Sequence, residues 1–189
     1  MTRIGIIIGS TRPGRNGEKV ARWVLDNASQ RTDAEFELVD LRDYPLPHFD
    51  EETSPARSTL EADYVGPWRD AIASLDGFVF VSPEYNHSTT GVLKNALDYV
   101  YPEWNNKAAA FVTYGGAGGA RAAEHLRLIA SELQMATVRG QVALSLMTDF
   151  ANFSELTPAP FQTMFLEQTL DQLVAWSEAL SPLRAPVAA

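Results

Sequence analysis

The chain contains no cysteine. Disulfides, thiolate-bound zinc, iron–sulfur clusters and a thiol nucleophile are therefore excluded. Histidine is scarce: only His48, His87 and His125 occur, and no two are spaced as metal ligands, which argues against a zinc enzyme of the usual kind. Positive charge is short too. Fifteen Lys and Arg stand against 24 Asp and Glu, a formal charge of −9. That balance argues against a nucleic-acid or anionic-membrane binder, which needs a basic face. Long apolar runs are missing. The run from Ile4 to Ile8 is too short for a signal-peptide core or a membrane span, and a cytoplasmic protein is expected.

What is present has the balance of an ordinary folded domain. Of 189 residues, 46% are apolar and 21% charged. One domain over residues 1–182 is expected, with Pro182 and Pro186 ending the last helix and residues 183–189 forming a mobile tail. Arg3 to Gly9 is nearly all apolar and β-branched, as in a strand covered on both faces. Val20, Ala21, Val24, Leu25 and Ala28 then recur at helical spacing. Further strands are predicted over 35–41, 78–81, 107–114 and 137–144, the last interrupted at Gly140. Helices are predicted over 64–75, 90–101, after 119, and over 158–180, where Phe161, Phe165, Leu170, Leu173 and Val174 form the apolar face. Residues 42–63, with three prolines among acidic residues, form a long irregular excursion. Strands alternating with helices imply a parallel α/β sheet covered on both faces, and five strands favour the flavodoxin-like order 2-1-3-4-5.

Ligands in such sheets sit beyond the carboxyl ends of the strands. Three loops leave those ends, and all are unusual. The first runs from Gly9 to Gly17; Ser10, Thr11 and Asn16 supply neutral donors, Arg12 and Arg15 supply charge, and a helix N-terminus follows. That set favours a phosphate, although a polar turn capping a helix has the same composition. It is neither a Walker A loop nor a Gly-x-Gly-x-x-Gly fingerprint. The second, Ser82 to Gly91, joins a stiffening Pro83 to Glu84, Tyr85, Asn86, His87 and Ser88, with Thr89 or Thr90 placed to cap a helix. The third, Tyr114 to Gly119, holds four glycines, which let backbone approach a ligand closely. Arg121 follows in a first helical turn, where a cation is unfavourable unless it answers an anion or a partner.

Gly9-Ser10-x-Arg12, then Ser82-Pro83-Glu84-Tyr85-Asn86-x-Ser88-x-x-Gly91-x-Leu93-Lys94-Asn95-Ala96-x-Asp98, then Tyr114-Gly115-x-x-Gly118-Gly119-x-Arg121-Ala122 occur in order after strands one, three and four. Together they resemble the NADPH-dependent FMN reductase family, flavodoxin-like flavoproteins with quinone, azo-dye and chromate reductase relatives. The likeness spans roughly residues 3–145. It implies FMN as cofactor and NADPH or NADH as hydride donor. Ser10, Arg12, Asn16 and Gly17 would hold the FMN phosphate. Pro83, Glu84, Tyr85, Asn86 and Ser88 would line the ribityl chain and ring, with backbone outweighing the Glu84 carboxylate. Gly115, Gly116 and Gly118 would offer N–H groups to the pyrimidine side. Hydride would pass to flavin N5 and on to a quinone, free flavin or similar small acceptor, with no side chain acting as acid, base or nucleophile. A homodimer or homotetramer is implied, with the 42–63 excursion reaching a neighbour's flavin. Two departures stand out: Asn16 replaces the usual Ser, and His87 replaces a small residue. A flavin-binding electron carrier or redox sensor, and a flavin-dependent monooxygenase on the same scaffold, share the loop features.

Overall fold

A computed structural model describes residues 1–184 of the chain. The apolar runs form the interior of one parallel sheet: β1 (Thr2–Ile8), β2 (Ala34–Asp40), β3 (Gly77–Pro83), β4 (Ala108–Gly115) and β5 (Ala136–Ser145), in the order β2-β1-β3-β4-β5. This is the expected 2-1-3-4-5 arrangement. The central strands β3 and β4 are buried along their whole length, which is why they read as unbroken apolar stretches instead of alternating ones.

Helices α1 (Gly17–Ala28) and α5 (Pro160–Leu180) cover one face with Val20, Val24, Leu166, Leu170 and Leu173. Helices α2 (Gly66–Ala73), α3 (Gly91–Asp98) and α4 (Ala120–Glu132) cover the other with Trp68, Ile72, Leu93, Leu97 and Leu126. β5 carries its irregularity where Gly140 predicts it: Ala109 pairs with Thr137 but Phe111 with Gln141, a bulge. A Cβ on Gly140 would lie 2.6 Å from Thr169 Oγ1, so α5 packs tightly against the bulge.

One expectation is corrected, and two segments are placed. On α5, Phe161 and Phe165 are 52% and 42% exposed, while Gln162 and Thr169 are buried instead. Gln162 Nε2 donates to Ala143 O, and Thr169 Oγ1 donates to Phe165 O; satisfied polar groups take the inner stripe. The 42–63 excursion lies on its own chain. Leu60 is buried and Tyr44, Leu46 and Phe49 pack on the same core, while Asn95 accepts from Phe49 N and donates to Pro47 O. Its apolar residues make it a flap over α2 and α3 of its own chain. Of the expected tail, Leu183 closes a 3-10 turn, and Arg184 bonds Asp76 and the Asn106 and Ser177 carbonyls. Residues 185–189 of the expected tail lie outside the described residues.

One element was not foreseen. After β5 the chain forms a two-stranded hairpin, β6 (Phe150–Ala151) with β7 (Glu155–Leu156), turning through Asn152 and Phe153 at positive φ. Buried Asp149 anchors it by accepting from Ser145 N, Thr148 Oγ1 and Ala159 N.

At the opposite end of the sheet Lys107 is buried, and its Nζ donates to Ile72 O and Ala73 O at the C-terminus of α2. Burial pulls its pKa down to about 8. The unfolded chain then binds more protons than the folded one between about pH 8 and the free lysine value of about 10.4, so this group makes stability rise with pH across that window. We expect Lys107→Met to flatten that slope in urea unfolding at pH 7.5, 8.5 and 9.5. A slope identical to that of the parent chain would show that Lys107 does not control it.

Candidate functional site

The three loops converge at the carboxyl ends of β1, β3 and β4, as the strand order requires, and side chains join them into one body. In the first, Gly9 is held by its N–H to Val81 O at 2.8 Å, and Thr90 Oγ1 donates to Gly9 O. A Cβ on Gly9 would lie 2.8 Å from Leu93 Cδ2 and 2.9 Å from Val81 O, so only glycine fits. Thr90 also caps α3 by accepting from Leu93 N at 3.1 Å, which decides between the two threonines. Ser10 Oγ lies 3.1 Å from the Tyr85 hydroxyl, tying the first loop to the second.

The two arginines of the first loop divide in role. Arg15 is buried, with its guanidinium donating to Ser10 O at 2.6 Å and to both oxygens of Asp40. Burial, the largest single effect, raises the Asp40 pKa; the Arg15 hydrogen bonds, the Arg42 N–H and the charges of both arginines together outweigh it, leaving the carboxyl below its ordinary value. In this structure Arg15 therefore shapes the first loop, joining Ser10 O to the end of β2. Arg12 is exposed and makes no ion pair among the described residues, unlike Arg15, Arg22 and Arg121. Arg42 donates to Thr11 O and Arg12 O at 3.3 and 2.8 Å. Sequence reasoning missed Asp40 and Arg42. The available signal was their place at the end of β2, the neighbour of β1.

The second loop is a two-residue hairpin. Tyr85 and Ser88 exchange backbone hydrogen bonds of 2.9 and 3.2 Å, and Asn86 and His87 both have positive φ, 49° and 73°. Asparagine suits that region; histidine is uncommon there. Pro83 ends β3 in register with Tyr114, and Glu84 N donates to Tyr114 O at 2.9 Å. The Glu84 side chain is 6% exposed; its carboxylate accepts from Arg121 N at 3.1 Å and pairs with the Arg121 guanidinium. This carboxylate is the anion that Arg121 answers. It caps the first turn of α4, where a negative charge is favoured, so the carboxylate's role in this structure is to join the second loop to the third. Arg121 Nη1 donates to His87 Nδ1 at 3.1 Å, and His125 Nδ1 lies 2.9 Å from Ser88 Oγ.

In the third loop Gly118 N donates to Gly115 O at 3.1 Å, and Gly118 and Gly119 have φ of 67° and 72°. A Cβ on Gly116 would meet nothing within 4 Å, so this is the open part of the floor. Tyr114 is buried, burial pushes its phenol well above the ordinary value, and its hydroxyl meets the backbone of Gly17. Asn16 Nδ2 donates to Phe153 O at 2.8 Å and Lys19 Nζ to Ser154 O at 2.6 Å, which docks the β6–β7 hairpin on the first loop.

The donors fit an anionic cofactor. Asn16 sits at the N-cap of α1 without capping it, and the N–H groups of Thr11, Gly14, Glu18 and Lys19 have no acceptor among the described residues. Those of Gly116 and Ala117 are also without one. These donors lie on exposed or half-buried residues open to a ligand, and a row of free N–H groups at a helix start is where a phosphate binds.

A sequence profile of the family described as NADPH-dependent FMN reductase matches residues 2–149. This chain belongs to that family. Among NADPH-dependent FMN reductase relatives, an NAD(P)H-dependent FMN reductase of Schizosaccharomyces pombe is 39% identical over 149 residues, covering 78% of this chain and 74% of the relative. An NAD(P)H:quinone oxidoreductase of Solanum tuberosum is 35% identical, covering 67% and 66%. The flavoenzyme NAD(P)H:(acceptor) oxidoreductase FerB of Paracoccus denitrificans superposes with a TM-score of 0.75 at 23% identity, covering 95% of this chain and 98% of that one. Within the reductase family's fold, no helix of the described residues is long and apolar enough to cross a membrane.

Proposed function

We propose that the three joined loops hold FMN and that this chain, an FMN-dependent NAD(P)H oxidoreductase, passes electrons to a small acceptor of the quinone or flavin type. The observation that carries the reading is the set of unpaired backbone donors on adjoining strand ends, held rigid by the Ser10–Tyr85 and Glu84–Arg121 links. FMN, when bound, supplies the redox chemistry, taking hydride from the reduced nicotinamide and returning two electrons to the acceptor. The protein's share is placement. Ser10, Thr11, Asn16 and the α1 N-terminus receive the phosphate, with Arg12 as its counter-charge. Pro83, Glu84, Tyr85, Asn86 and Ser88 set one wall. Gly115, Gly116, Ala117 and Gly118 form the other, and N–H groups aimed at the pyrimidine edge favour negative charge there. No acid, base or thiol is required of the chain.

The reading also carries a cytoplasmic homodimer or homotetramer. Its support is the face between α3 and α4, where Thr90, Lys94, Leu128 and Ile129 line an open, mainly apolar cavity of about 470 Å³ and Leu128 is 72% exposed. One experiment tests the whole. The purified protein, loaded with FMN, is expected to show a flavin band at about 450 nm that bleaches with anaerobic NADPH and returns on adding a quinone. Sedimentation velocity of the same sample is expected to give a dimer or tetramer. Absence of flavin binding sinks the site assignment; a bound flavin that does not bleach makes the chain a carrier or sensor; a monomer removes the assembly claim.

A further inference from the structure

Asn86 and His87 are the two turn residues of the second loop, both at positive φ. A hairpin of this kind is most stable with Asn-Gly, because its second turn residue also needs positive φ. This chain holds a histidine there, in a conformation that costs energy, and the residue is exposed. Glycine would serve the turn better, so the side chain needs its own account. Its contacts supply one. His87 Nδ1 lies 3.1 Å from Arg121 Nη1. A guanidinium has donors only, so Nδ1 accepts and the ring proton sits on Nε2. The charge of Arg121 is answered by the Glu84 carboxylate. Nε2 itself has no partner among the described residues. The product is a neutral N–H donor of fixed tautomer. It stands where the second loop meets the first turn of α4, just beyond the third loop. That is the rim between the two walls of the proposed flavin site. A protonated Nε2 has no lone pair for a metal, which excludes an ion shared with His125, whose ring centroid is 6.3 Å away.

We infer that His87 seats the electron acceptor by donating Nε2–H to its carbonyl oxygen, and that Arg121 is the positioning residue that fixes the ring tautomer. The inference rests on the function proposed above, in which a small acceptor meets the flavin at this rim. A quinone oxygen accepts hydrogen bonds and donates none. The opposite tautomer would turn the Nε2 lone pair toward that oxygen and repel it; the Arg121 contact prevents this. Reduction of a quinone to a hydroquinone adds a hydride and one proton. The hydride comes from the reduction described above and the proton from water, because His87 would become an imidazolate if it gave up Nε2–H. The part played by His87 is therefore orientation, and its hydrogen bond strengthens as the oxygen gains negative charge.

His87→Gly removes the ring and suits the turn, so its urea unfolding midpoint should match or exceed that of the parent. His87→Gln keeps an amide oxygen for Arg121 and an N–H group for the acceptor. The probe is tetramethylbenzoquinone, titrated by calorimetry into the oxidised, FMN-loaded protein without NADPH. Its Kd should rise about threefold to tenfold in His87→Gly, the worth of one neutral hydrogen bond, and stay near the parent value in His87→Gln. In stopped flow, bleaching by NADPH should proceed alike in all three proteins, while reoxidation by the quinone slows in His87→Gly by at least the factor seen in Kd. Nitrogen NMR of isotope-labelled histidine reads the tautomer without turnover. The chain has three histidines, and the signals missing from His87→Gly identify the ring. At about pH 8, above the ordinary histidine range, the proton should lie on Nε2 in the parent. Arg121→Lys keeps a charge for Glu84 but lacks the second arm that reaches His87, so the Nδ1 signal should move toward its protonated position. An unmoved signal removes Arg121 from its role. Unchanged quinone affinity in His87→Gly, bleaching slowed as much as reoxidation, or a parent proton on Nδ1 overturns the inference. Failure of the proposed function is distinct: the parent then binds no FMN or is not bleached by NADPH, while the His87 tautomer is still read by NMR, and the acceptor seat falls with it.

Discussion

Gly119→Ala is expected to destabilise the protein by about 2–5 kcal/mol, the sum of left-handed backbone strain and overpacking, and to abolish FMN retention. Gly119 has φ of 72°, and a Cβ there would lie 2.6 Å from Thr113 Cβ and 2.7 Å from Tyr114 N. Both neighbours belong to β4, fully buried at the sheet centre, so neither can yield. The third loop would have to move instead. It carries the free N–H groups of Gly116 and Ala117, and it leads into the α4 turn held by Glu84. A shift there reaches the second loop through the Glu84–Arg121 pair. Gly116→Ala is the matched control. Its added methyl meets nothing within 4 Å in the protein, so urea unfolding of the FMN-free chain should match the parent, while FMN affinity falls because the methyl occupies the floor on which the ring rests. Unchanged stability in Gly119→Ala would show that the loop relaxes freely; unchanged FMN affinity in Gly116→Ala would place the ring elsewhere.

The contrast between these glycines marks what is legible in a sequence. The glycine run, its position after a buried strand and its meaning as close backbone approach are all visible without coordinates. Which glycine is required by φ and which merely leaves space is decided by the packing of Thr113 and Ala143 against the loop. The sheet order was readable because buried parallel strands and amphipathic helices alternate, and few topologies then remain. Side-chain pairing across the loops was not. Arg12 and Arg15 are equivalent in composition, and only the arrival of Asp40 from the neighbouring strand gives Arg15 a carboxylate partner that Arg12 lacks. Glu84 and Arg121 are 37 residues apart in the chain, and nothing local couples them. The helix α5 misled for a different reason. Its exposed N-terminal aromatics and buried Gln162 and Thr169 invert the usual stripe, because Asp149 and the Gly140 bulge reward polar and small contacts there. The hairpin after β5 has strands of two residues each, too short for any periodicity to show.

The division between the two arginines gives the last expected result. Arg12→Ala should weaken FMN binding by about 1.5–3 kcal/mol, the range for a hydrogen bond to a charged group, or roughly tenfold to a hundredfold in Kd. Riboflavin, which lacks the phosphate, should lose less than about twofold. Folding stability should hardly change, because Arg12 is exposed and makes no ion pair among the described residues. Arg15→Ala should behave in the opposite way. It removes the bonds to Ser10 O and Asp40 and leaves a partly buried carboxylate unpaired, so stability drops and both flavins lose affinity together through the altered loop. Titrating FMN and riboflavin into the parent and both variants, by quenching of flavin fluorescence, checks all of this at once. Equal losses of both flavins in Arg12→Ala would mean that Arg12 acts on the ring or the loop, and that the backbone donors of α1 meet the phosphate without a counter-charge. A selective loss of FMN in Arg15→Ala would mean that the Asp40 pair opens when the cofactor arrives, returning Arg15 to the role its place in the sequence suggests.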